Sequence, residues 1–420
     1  MKILWTVNLI PSEASQKLNI NSVVLGGWVE SMAQRLKNYP EVKLAIACKT
    51  DKTNSFDEEI NGIRYFSIGY DSKTDLKTLE MTCEEIIDKF NPDIIQVEGT
   101  EFLHASAMLN VGNSRSIPTV VSLQGILNGQ YQYQCGQLQI DDMMFSSSIR
   151  KIFTAWILHL RKTRWFKPRM KTEREVISRA KYLIGRTTWD RAHAYKLNPN
   201  AEYFTCNRIL REPFYRYKWL INEIEKHSIY VGNGYYALKG VQYVIEALPQ
   251  LIREYPDIKL YVAGVKPFEE NDKRPFYKKG YGMYLEKLIK DLGVQDHIVF
   301  TGPLQAEQVA EKLSKVHAYV LCSAIENSPN TLGEAMCIGT PCVAAYVGGV
   351  SDMAVDGEDA LFYRNDDPAL LAWNIKRIFD NDELALKLSE NGKKHARVTH
   401  DADTNSKALY DIYKSILERR

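Results

Sequence analysis

The sequence has few of the features that mark secreted, zinc-binding or membrane-spanning proteins. Its seven cysteines are scattered singly, their number is odd, and no two of them form a C-x2-C pair. This pattern argues against a disulfide framework or a zinc site and fits a reducing cytosol. Every apolar run is shorter than the roughly 20 residues that cross a bilayer. The first run, within Met1–Trp5, is too short for a signal peptide and predicts a strand.

Net charge is low as well, at a formal +2 at pH 7. A nearly balanced charge argues against a general nucleic-acid-binding protein. The chain is long and rich in apolar residues: it has 420 residues, of which 45% are hydrophobic. That is too long for one ordinary core and enough for two domains. The composition changes near Cys206–Lys218, which predicts the linker between the two domains.

Residues 318–350 are the most informative stretch. The predicted elements are, in order, a buried strand at Ala318–Cys322, a loop at Ile325–Pro329, a helix that begins near Asn330 with Asn330 as its N-cap, a stop at Gly339 and Pro341, and a second buried strand at Cys342–Ala345. The N-terminus of such a helix offers unpaired N–H groups and the positive end of a dipole, which suit a phosphate or a sugar hydroxyl.

Two carboxylates accompany this unit, Glu326 in the loop and Glu334 in the first turns of the helix. Carboxylates accept hydrogen bonds, so we predict that both bind hydroxyl groups. At a rise of about 1.5 Å per residue they lie roughly 10 Å apart. The paired carboxylates of a retaining glycosidase lie only about 5 Å apart. The spacing therefore favours binding of two separate hydroxyl-bearing groups.

These residues resemble the C-terminal half of the family 4 glycosyltransferases. The resemblance rests on the E-x7-E spacing of Glu326 and Glu334 and on the segments Gly333–Ala335, Gly339–Ala344 and Gly348–Val350. It implies a retaining hexosyltransferase with the α/β GT-B fold, in which two Rossmann-like, doubly wound parallel-sheet domains face an interdomain cleft. It further implies an acceptor domain at 1–208, to which a final helix at 402–420 returns, and a nucleotide-sugar donor domain at 209–401.

The N-terminal half alternates predicted strands with helices, which indicates a parallel sheet. The strands are predicted at Ile3–Val7, Val42–Ala47, Ile63–Ile68, Asp93–Val97, Thr119–Leu123 and Tyr182–Ile184, and the helices at Trp28–Leu36, Leu76–Phe90 and Phe102–Leu109. Ligands bind beyond the C-terminal ends of such strands, so we predict that Glu98 and Gln124 bind the acceptor. Many members of the resembled family carry a histidine where Gln124 lies. Because glutamine cannot act as a general base, we predict that Gln124 hydrogen-bonds an acceptor hydroxyl instead.

Two further loops are candidates for the diphosphate of a donor. Gly26 and Gly27 precede a predicted helix, and the resemblance implies that their loop faces the donor pyrophosphate. In the second half a glycine-rich loop follows the strand Ser228–Val231 and holds Lys239. The family usually has an arginine directly after the first glycine of this loop, where this chain has Asn233.

We predict that Arg186, which follows the strand Tyr182–Ile184, or Arg211 replaces the missing cation. The resemblance also places the nucleotide base against the turn after the strand at Ile298–Leu304, and the ribose on Glu334. The predicted catalytic residues are Glu326, Lys239 and Arg186. The predicted donor-binding residues are Gly26, Gly27, Asn233, Gly234, Arg211, Thr301, Pro303, Leu304, Asn327, Ser328, Asn330, Thr331, Leu332 and Glu334.

Residues 148–171 are strongly basic, with eight Lys or Arg and no Asp or Glu. Apolar side chains at helical spacing, including Trp156, make this either an amphipathic helix on an anionic membrane surface or a domain helix with solvated basic ends. Both interpretations remain open. If the first holds, the protein is cytoplasmic and peripheral to the inner face of the membrane through residues 150–171.

The predicted activity is transfer of a sugar from a nucleotide-diphosphate donor, a UDP-sugar, to a hydroxyl of a glycan or lipid-linked acceptor in surface polysaccharide synthesis. We expect no cofactor, no metal and no nucleic-acid partner. Two other classes stay open: a sugar-nucleotide epimerase or hydrolase on the same fold, and a non-catalytic protein that binds glycans or a membrane surface. The changes at Asn233 and Gln124 permit the last of these.

Overall fold

The computed structural model describes residues 1–20, 27–138, 162–268 and 276–419. It divides into two compact units. Unit 1 contains residues 1–129, 166–211 and 400–420, and unit 2 contains residues 130–165 and 212–399. The predicted acceptor domain ran without a break from 1 to 208, whereas the structure groups the described residues 130–138 and 162–165 with unit 2.

Unit 1 is built on an eight-stranded sheet with the order β3-β4-β2-β1-β5-β6-β7-β8. The strands are β1 Lys2–Val7, β2 Lys43–Thr50, β3 Asp57–Ile60, β4 Ile63–Gly69, β5 Ile94–Glu98, β6 Thr119–Ser122, β7 Tyr182–Gly185 and β8 Glu202–Thr205. Most of them are apolar and buried on both faces, as expected of parallel strands covered by helices. Among the strands in the described part of unit 1, the edge strand β3 alone runs antiparallel to its neighbour, so the sheet is mixed.

Helices cover both faces of this sheet and enclose two apolar clusters, one on each face. The helices within the first 211 residues are α1 Ser12–Lys17, α2 Gly27–Leu36, α3 Leu76–Phe90, α4 Leu103–Ser114, α5 Leu127–Gln130, α6 Lys167–Arg179 and α7 Thr188–Leu197. The predicted helix Leu76–Phe90 is therefore found with the same bounds. Its N-cap, Asp75, accepts a hydrogen bond from the backbone N–H of Thr78.

Unit 2 has a six-stranded parallel sheet with the order β11-β10-β9-β12-β13-β14. Its strands are β9 Glu225–Val231, β10 Lys259–Ala263, β11 Ile298–Gly302, β12 Val316–Leu321, β13 Cys342–Ala345 and β14 Leu361–Tyr363. Its helices are α8 Pro213–Arg216, α9 Val241–Glu254, α10 Phe276–Leu292, α11 Ala306–Lys315, α12 Asn330–Ile338, α13 Pro368–Phe379 and α14 Asp382–Thr399. None of the helices in the described part of the chain is both long and apolar enough to cross a membrane.

The final helix, α15 Ala402–Glu418, packs within unit 1. Its Tyr413 is fully buried and lies in a chain of hydrogen bonds that starts at the sheet. The Trp5 indole N–H donates to the Tyr413 hydroxyl at 2.9 Å, and this hydroxyl donates to the Gln96 side chain at 2.5 Å. Buried polar groups are costly unless they are paired, so these bonds fix the position of α15 on the sheet.

Two local predictions are corrected by the structure. The charged, proline-containing segment Lys266–Gly280 by its composition predicts a surface loop, but α10 begins within it, at Phe276. The helix forms because Tyr281, Leu285 and Ile289, spaced four residues apart, are buried along one face. Asn330 was expected to be an N-cap, but it is the first residue of α12 and its side chain makes no capping hydrogen bond. Pro329 occupies the cap position instead.

Candidate functional site

An ion pair joins the glycine-rich loop of unit 2 to the loop between β12 and α12. The Lys239 ammonium lies 2.5 Å from the Glu326 carboxylate. Only 23% of the lysine side chain and 15% of the glutamate side chain are exposed. Burial opposes the charge on Lys239, but the Glu326 carboxylate outweighs it and raises the pKa of the lysine above its usual value. The pair therefore presents a fixed positive charge beside a fixed negative charge at the C-terminal ends of the strands.

Two glycines make this arrangement possible because the backbone lies too close for a side chain. Gly240 has a φ of +74°, and a Cβ there would lie 1.7 Å from the carbonyl oxygen of Cys322. Gly348 has a φ of +52°, and a Cβ there would lie 1.9 Å from the carbonyl oxygen of Glu326. Glycine is the residue that combines positive φ with such an approach. The three loops that follow β9, β12 and β13 are thus packed backbone to backbone.

The predicted diphosphate loop runs from Gly232 to Gly240. The Asn233 side chain accepts a hydrogen bond from the backbone N–H of Tyr235 at 2.8 Å, so it shapes the turn rather than carrying charge. A Cβ on Gly234 would lie 2.5 Å from Val262. The same loop approaches the predicted base-binding turn Thr301–Leu304, because a Cβ on Gly264 would lie 3.8 Å from the Asn233 side chain and the Gly264 N–H donates to the Gly302 carbonyl at 3.0 Å.

The helix α12 begins at this point without a side-chain cap. An uncapped N-terminus leaves backbone N–H groups available to a ligand and adds the positive end of the helix dipole. Of the predicted donor residues in this region, Asn327, Leu332 and Glu334 are buried, Ser328 and Asn330 are partly buried, and Thr331 is exposed. Glu334 is only 4% exposed although its side chain carries a carboxyl group. It lies in the second turn of α12, with its side chain turned away from solvent.

The remaining predicted donor residues lie in unit 1. Gly27 is the first residue of α2, and a Cβ there would lie 2.8 Å from the side chain of Arg211. The structure thus brings together a predicted glycine and one of the two predicted substitute cations at a helix N-terminus. Gly26 lies outside the described residues.

Arg186 lies at the end of β7 and is only 9% exposed. Its guanidinium donates to the carbonyls of Leu123 and Gln124 at 2.9 and 2.7 Å. Burial lowers the pKa of this arginine, and the nearby carboxylates of Asp190 and Glu98 oppose that effect. Glu98 is 3% exposed at the end of β5, and burial raises the pKa of its carboxyl group. The predicted acceptor residues Glu98 and Gln124 therefore lie next to Arg186.

Comparison with known proteins connects unit 2 with sugar transfer. Residues 212–395 match the family model described as glycosyl transferases group 1, which is nearly all of the 212–399 segment of unit 2 and less than half of the chain. Among solved structures, sucrose-phosphate synthase from Thermosynechococcus elongatus is similar over the whole of both chains, with a TM-score of 0.73 at 15% identity. The fold is GT-B.

Two further comparisons agree with this fold. HepE of Anabaena, solved in complex with UDP and glucose, has a TM-score of 0.68 at 15% identity over 99% of this chain and 100% of its own. An uncharacterized glycosyltransferase of Methanocaldococcus jannaschii is 26% identical over 198 residues, which are 47% of this chain and 47% of that protein. The matched stretch therefore spans about half the length of that relative.

Sequence reasoning missed one cluster of polar residues in this GT-B chain. Arg208 and Trp28 line the same cavity as Glu98 and Arg186 in unit 1. The short strand β8 was not predicted, so Cys206–Arg208 was interpreted as linker rather than as the end of a strand. The signal that could have found it is the run Tyr203–Thr205, two aromatic residues and a β-branched one, which follows a helix as the other βα units do.

Proposed function

We propose that this protein is a retaining glycosyltransferase of the family 4 type that uses a nucleotide-diphosphate sugar. The observation that carries the proposal is the Lys239–Glu326 ion pair at the uncapped start of α12, within a segment that matches the group 1 model. A sugar diphosphate can be bound by a cation, a carboxylate and the N–H groups of a helix N-terminus. The cation and the N–H groups bind the phosphates, and the carboxylate accepts hydrogen bonds from the sugar hydroxyls.

In the proposed reaction, the bond between the anomeric carbon and the diphosphate oxygen breaks while a bond to the acceptor oxygen forms on the same face. The acceptor proton passes to the leaving phosphate, so the protein supplies no separate base. Lys239 stabilises the negative charge that grows on the diphosphate, together with the N-terminus of α12 and without a metal ion. Glu326 holds the donor sugar and stabilises the positive charge at its anomeric carbon, while Glu334 holds the ribose.

The ion pair has a consequence for donor binding. Lys239 and Glu326 pair with each other at 2.5 Å. A donor that places phosphate oxygens at the ammonium and hydroxyls at the carboxylate replaces one buried contact by two, so neither charge is left unpaired. The pair thereby keeps both side chains ordered before the donor arrives, which lowers the entropy lost on binding.

The second cation is better assigned to Arg211 than to Arg186. The Arg186 guanidinium is already held by two backbone carbonyls, and moving it would leave both unpaired. The aliphatic part of the Arg211 side chain lies against Gly27 at the start of α2, a helix N-terminus of the kind that suits a phosphate. We further propose a UDP-sugar donor, because HepE of Anabaena was solved with UDP and with UDP-glucose.

The acceptor is proposed to be a glycan or a lipid-linked sugar at the cytoplasmic membrane face. Most of the basic segment 150–171 lies outside the described residues, but its end is described. Arg164 and Lys167 are exposed there, and Trp165 is 42% exposed between them. Exposed cations flanking an exposed aromatic ring suit an anionic headgroup region. Sedimentation with anionic vesicles but not neutral ones, abolished by Arg164→Gln with Lys167→Gln, would support this proposal; indifference to both would contradict it.

A nucleotide-sugar screen tests the central proposal. Thermal shift with UDP-glucose, UDP-galactose, UDP-N-acetylglucosamine and the corresponding GDP-sugars should reveal at least one stabilising donor. Incubation of that donor alone then separates transfer from the alternatives, because an epimerase or hydrolase yields epimerised sugar or free nucleotide without an acceptor. Donor stabilisation without turnover on any acceptor would favour a non-catalytic binding protein. Absence of stabilisation by every nucleotide sugar would contradict the proposal.

A further inference from the structure

A small cavity, lined by apolar side chains and a few charged ones, lies at the C-terminal edge of the unit 1 sheet. Its volume is about 30 Å³. Four adjacent strands end around it: Glu98 pairs in register with Ser122, Ser122 with Ile184, and Gly185 with Thr205. The wall is completed by α2, α15 and the residues after β8, among them Trp28 and Arg208. We call it the strand-end pocket. It holds roughly two water-sized groups.

Three charged side chains that line the strand-end pocket have polar atoms without hydrogen-bond partners in the described part of the chain. These atoms are Oε2 of Glu98, Nε of Arg186 and Nη2 of Arg208, and all three are buried. Buried polar atoms are nearly always paired, so three orphans in one cavity indicate that a ligand or ordered water belongs there. Glu98 and Arg186 are 3% and 9% exposed, so solvent does not satisfy them freely.

The other atoms of these side chains are fixed by the protein. Oε1 of Glu98 accepts a hydrogen bond from the Gln96 side chain, which continues the buried chain from Trp5 and Tyr413. Nη2 of Arg186 donates to the carbonyls of Leu123 and Gln124. The Arg208 guanidinium lies 3.7 Å from the centre of the Trp28 ring. The orphan atoms are therefore held in place rather than free to turn away.

The balance of donors and acceptors selects the chemistry of the ligand. The two arginines offer N–H donors, and the carboxylate requires a donor from the ligand. A fully ionised anion supplies acceptors only and would leave Oε2 of Glu98 without a donor, while a cation would face two arginines and a single carboxyl group. A hydroxyl group both donates and accepts. Two adjacent hydroxyls, or a hydroxymethyl group, satisfy all three orphans within the volume of the cavity.

We propose that the strand-end pocket binds the hydroxyls of a neutral sugar acceptor, with Glu98 accepting from them and Arg186 and Arg208 donating to them. The assignment of this sugar as the acceptor rests on the proposed glycosyltransferase function. It adds Arg208 and Trp28 to the acceptor site. It also predicts that a sugar bearing a phosphate at this end is excluded.

The test is direct binding to the full chain, measured by saturation-transfer NMR and without turnover. The probes are the methyl glycosides of glucose, galactose, mannose and N-acetylglucosamine, with inorganic phosphate as the charged comparison. At least one methyl glycoside should bind, and Glu98→Gln and Arg208→Met should each weaken that binding at least tenfold. Arg115→Met removes an exposed arginine of the same unit that pairs with Asp88, and it should leave binding unchanged.

Several outcomes would overturn the proposal. Binding of none of the glycosides, binding that both substitutions leave unchanged, or binding of phosphate that the same substitutions abolish would each do so. Arg208→Lys, which keeps the charge, serves if Arg208→Met does not fold, and it should also weaken sugar binding because the guanidinium fork is lost. Thermal shift by the nucleotide-sugar panel is read separately. If no nucleotide sugar stabilises the wild-type protein, the proposed function is contradicted. Binding of a methyl glycoside in the strand-end pocket would still stand as a separate result.

Discussion

Lys239 is the side chain whose charge has the clearest chemical role. Because negative charge on the diphosphate grows as its bond to the sugar breaks, Lys239→Ala should lower kcat by about 10²-fold or more. Steady-state kinetics with a saturating donor measures this. Lys315→Ala provides the matched control, since Lys315 is an exposed lysine of the same unit that pairs with Glu223. An effect on donor KM alone would mean that the lysine binds ground state and transition state equally.

Glu334 should act on binding rather than on the chemical step. If it holds the ribose, Glu334→Ala removes hydrogen bonds to a buried carboxylate, which are worth about 1.5–3 kcal/mol. Donor KM should therefore rise more than tenfold. Circular dichroism would establish that the variant is folded, and Glu307→Ala, an exposed acid of the same unit, controls for charge. A folded Glu334→Ala protein with the wild-type KM would remove Glu334 from the donor site.

The placement of Glu326 and Glu334 around the start of α12 could be predicted because its signal is local. Both glutamates lie within one short stretch whose glycines and proline predict where the strand, loop and helix begin and end. Arg208 could not be predicted in the same way. Its relation to Glu98 arises only when β8 and β5 end at the same edge of one sheet, with β6 and β7 between them. Sequence spacing carries no information on such a contact.

The close contact between the backbones of the loops that follow β9 and β12 in unit 2 can be tested at Gly240. An alanine there would have both a positive φ and a Cβ 1.7 Å from the Cys322 carbonyl oxygen. Gly293 also has a positive φ, +67°, but nothing lies within 4 Å of its Cβ position. Gly293→Ala should therefore cost only the conformational strain, about 1–2 kcal/mol, whereas Gly240→Ala should cost more and should also impair donor binding.

Thermal unfolding of the two variants separates the contributions. A shift of the midpoint by several degrees is expected for about 1 kcal/mol in a domain of this size. The difference between the two alanine variants measures the clash of the β9 loop with the β12 loop. Equal shifts for both would mean that the loops relax apart at little cost.

The helices and strands differ in how well the pattern of apolar residues in the sequence predicted them. Buried parallel strands such as β13 have short apolar runs bounded by glycine or proline, and Cys342–Ala345 was predicted with its observed bounds. The edge strand β3, Asp57–Ile60, is largely acidic and exposed, so it has no apolar run to detect. Helix α10 was missed because its first residues follow a charged segment with proline, and the buried residues that stabilise it come later.

Each unit as a whole contains a buried histidine that the folded protein keeps neutral. In unit 1, burial of His104 lowers its pKa to about 3, with the Lys49 charge acting in the same direction. In unit 2, burial lowers the pKa of His317 to about 4. The charges around His317 are His227 and Lys226, which oppose protonation, and Asp382, which favours it. Its ring stacks on Phe379 at 4.5 Å.

The sign of the pH dependence follows from these values. The unfolded chain binds a proton at each histidine below about pH 6.5, whereas the folded units do not until the pH is much lower. The stability associated with each neutral imidazole is therefore fully present above pH 6.5 and is lost as the pH falls towards the folded pKa. For His317 the loss between pH 6.5 and 4 is at most about 3 kcal/mol. The apparent unfolding midpoint should fall steadily over this range.

His317→Gln isolates the contribution of unit 2. The variant loses the stacking on Phe379 and should be less stable than the wild type at pH 7.5, but its midpoint should fall less steeply between pH 6.5 and 4.5. His395→Gln, which removes a partly exposed histidine of the same unit, controls for the loss of an imidazole as such. Midpoints measured at one-unit pH intervals give the slopes. If His317→Gln and the wild type lose stability in parallel, then His317 becomes protonated in the folded unit without cost, and the acid sensitivity must arise from His104 or from the carboxylates.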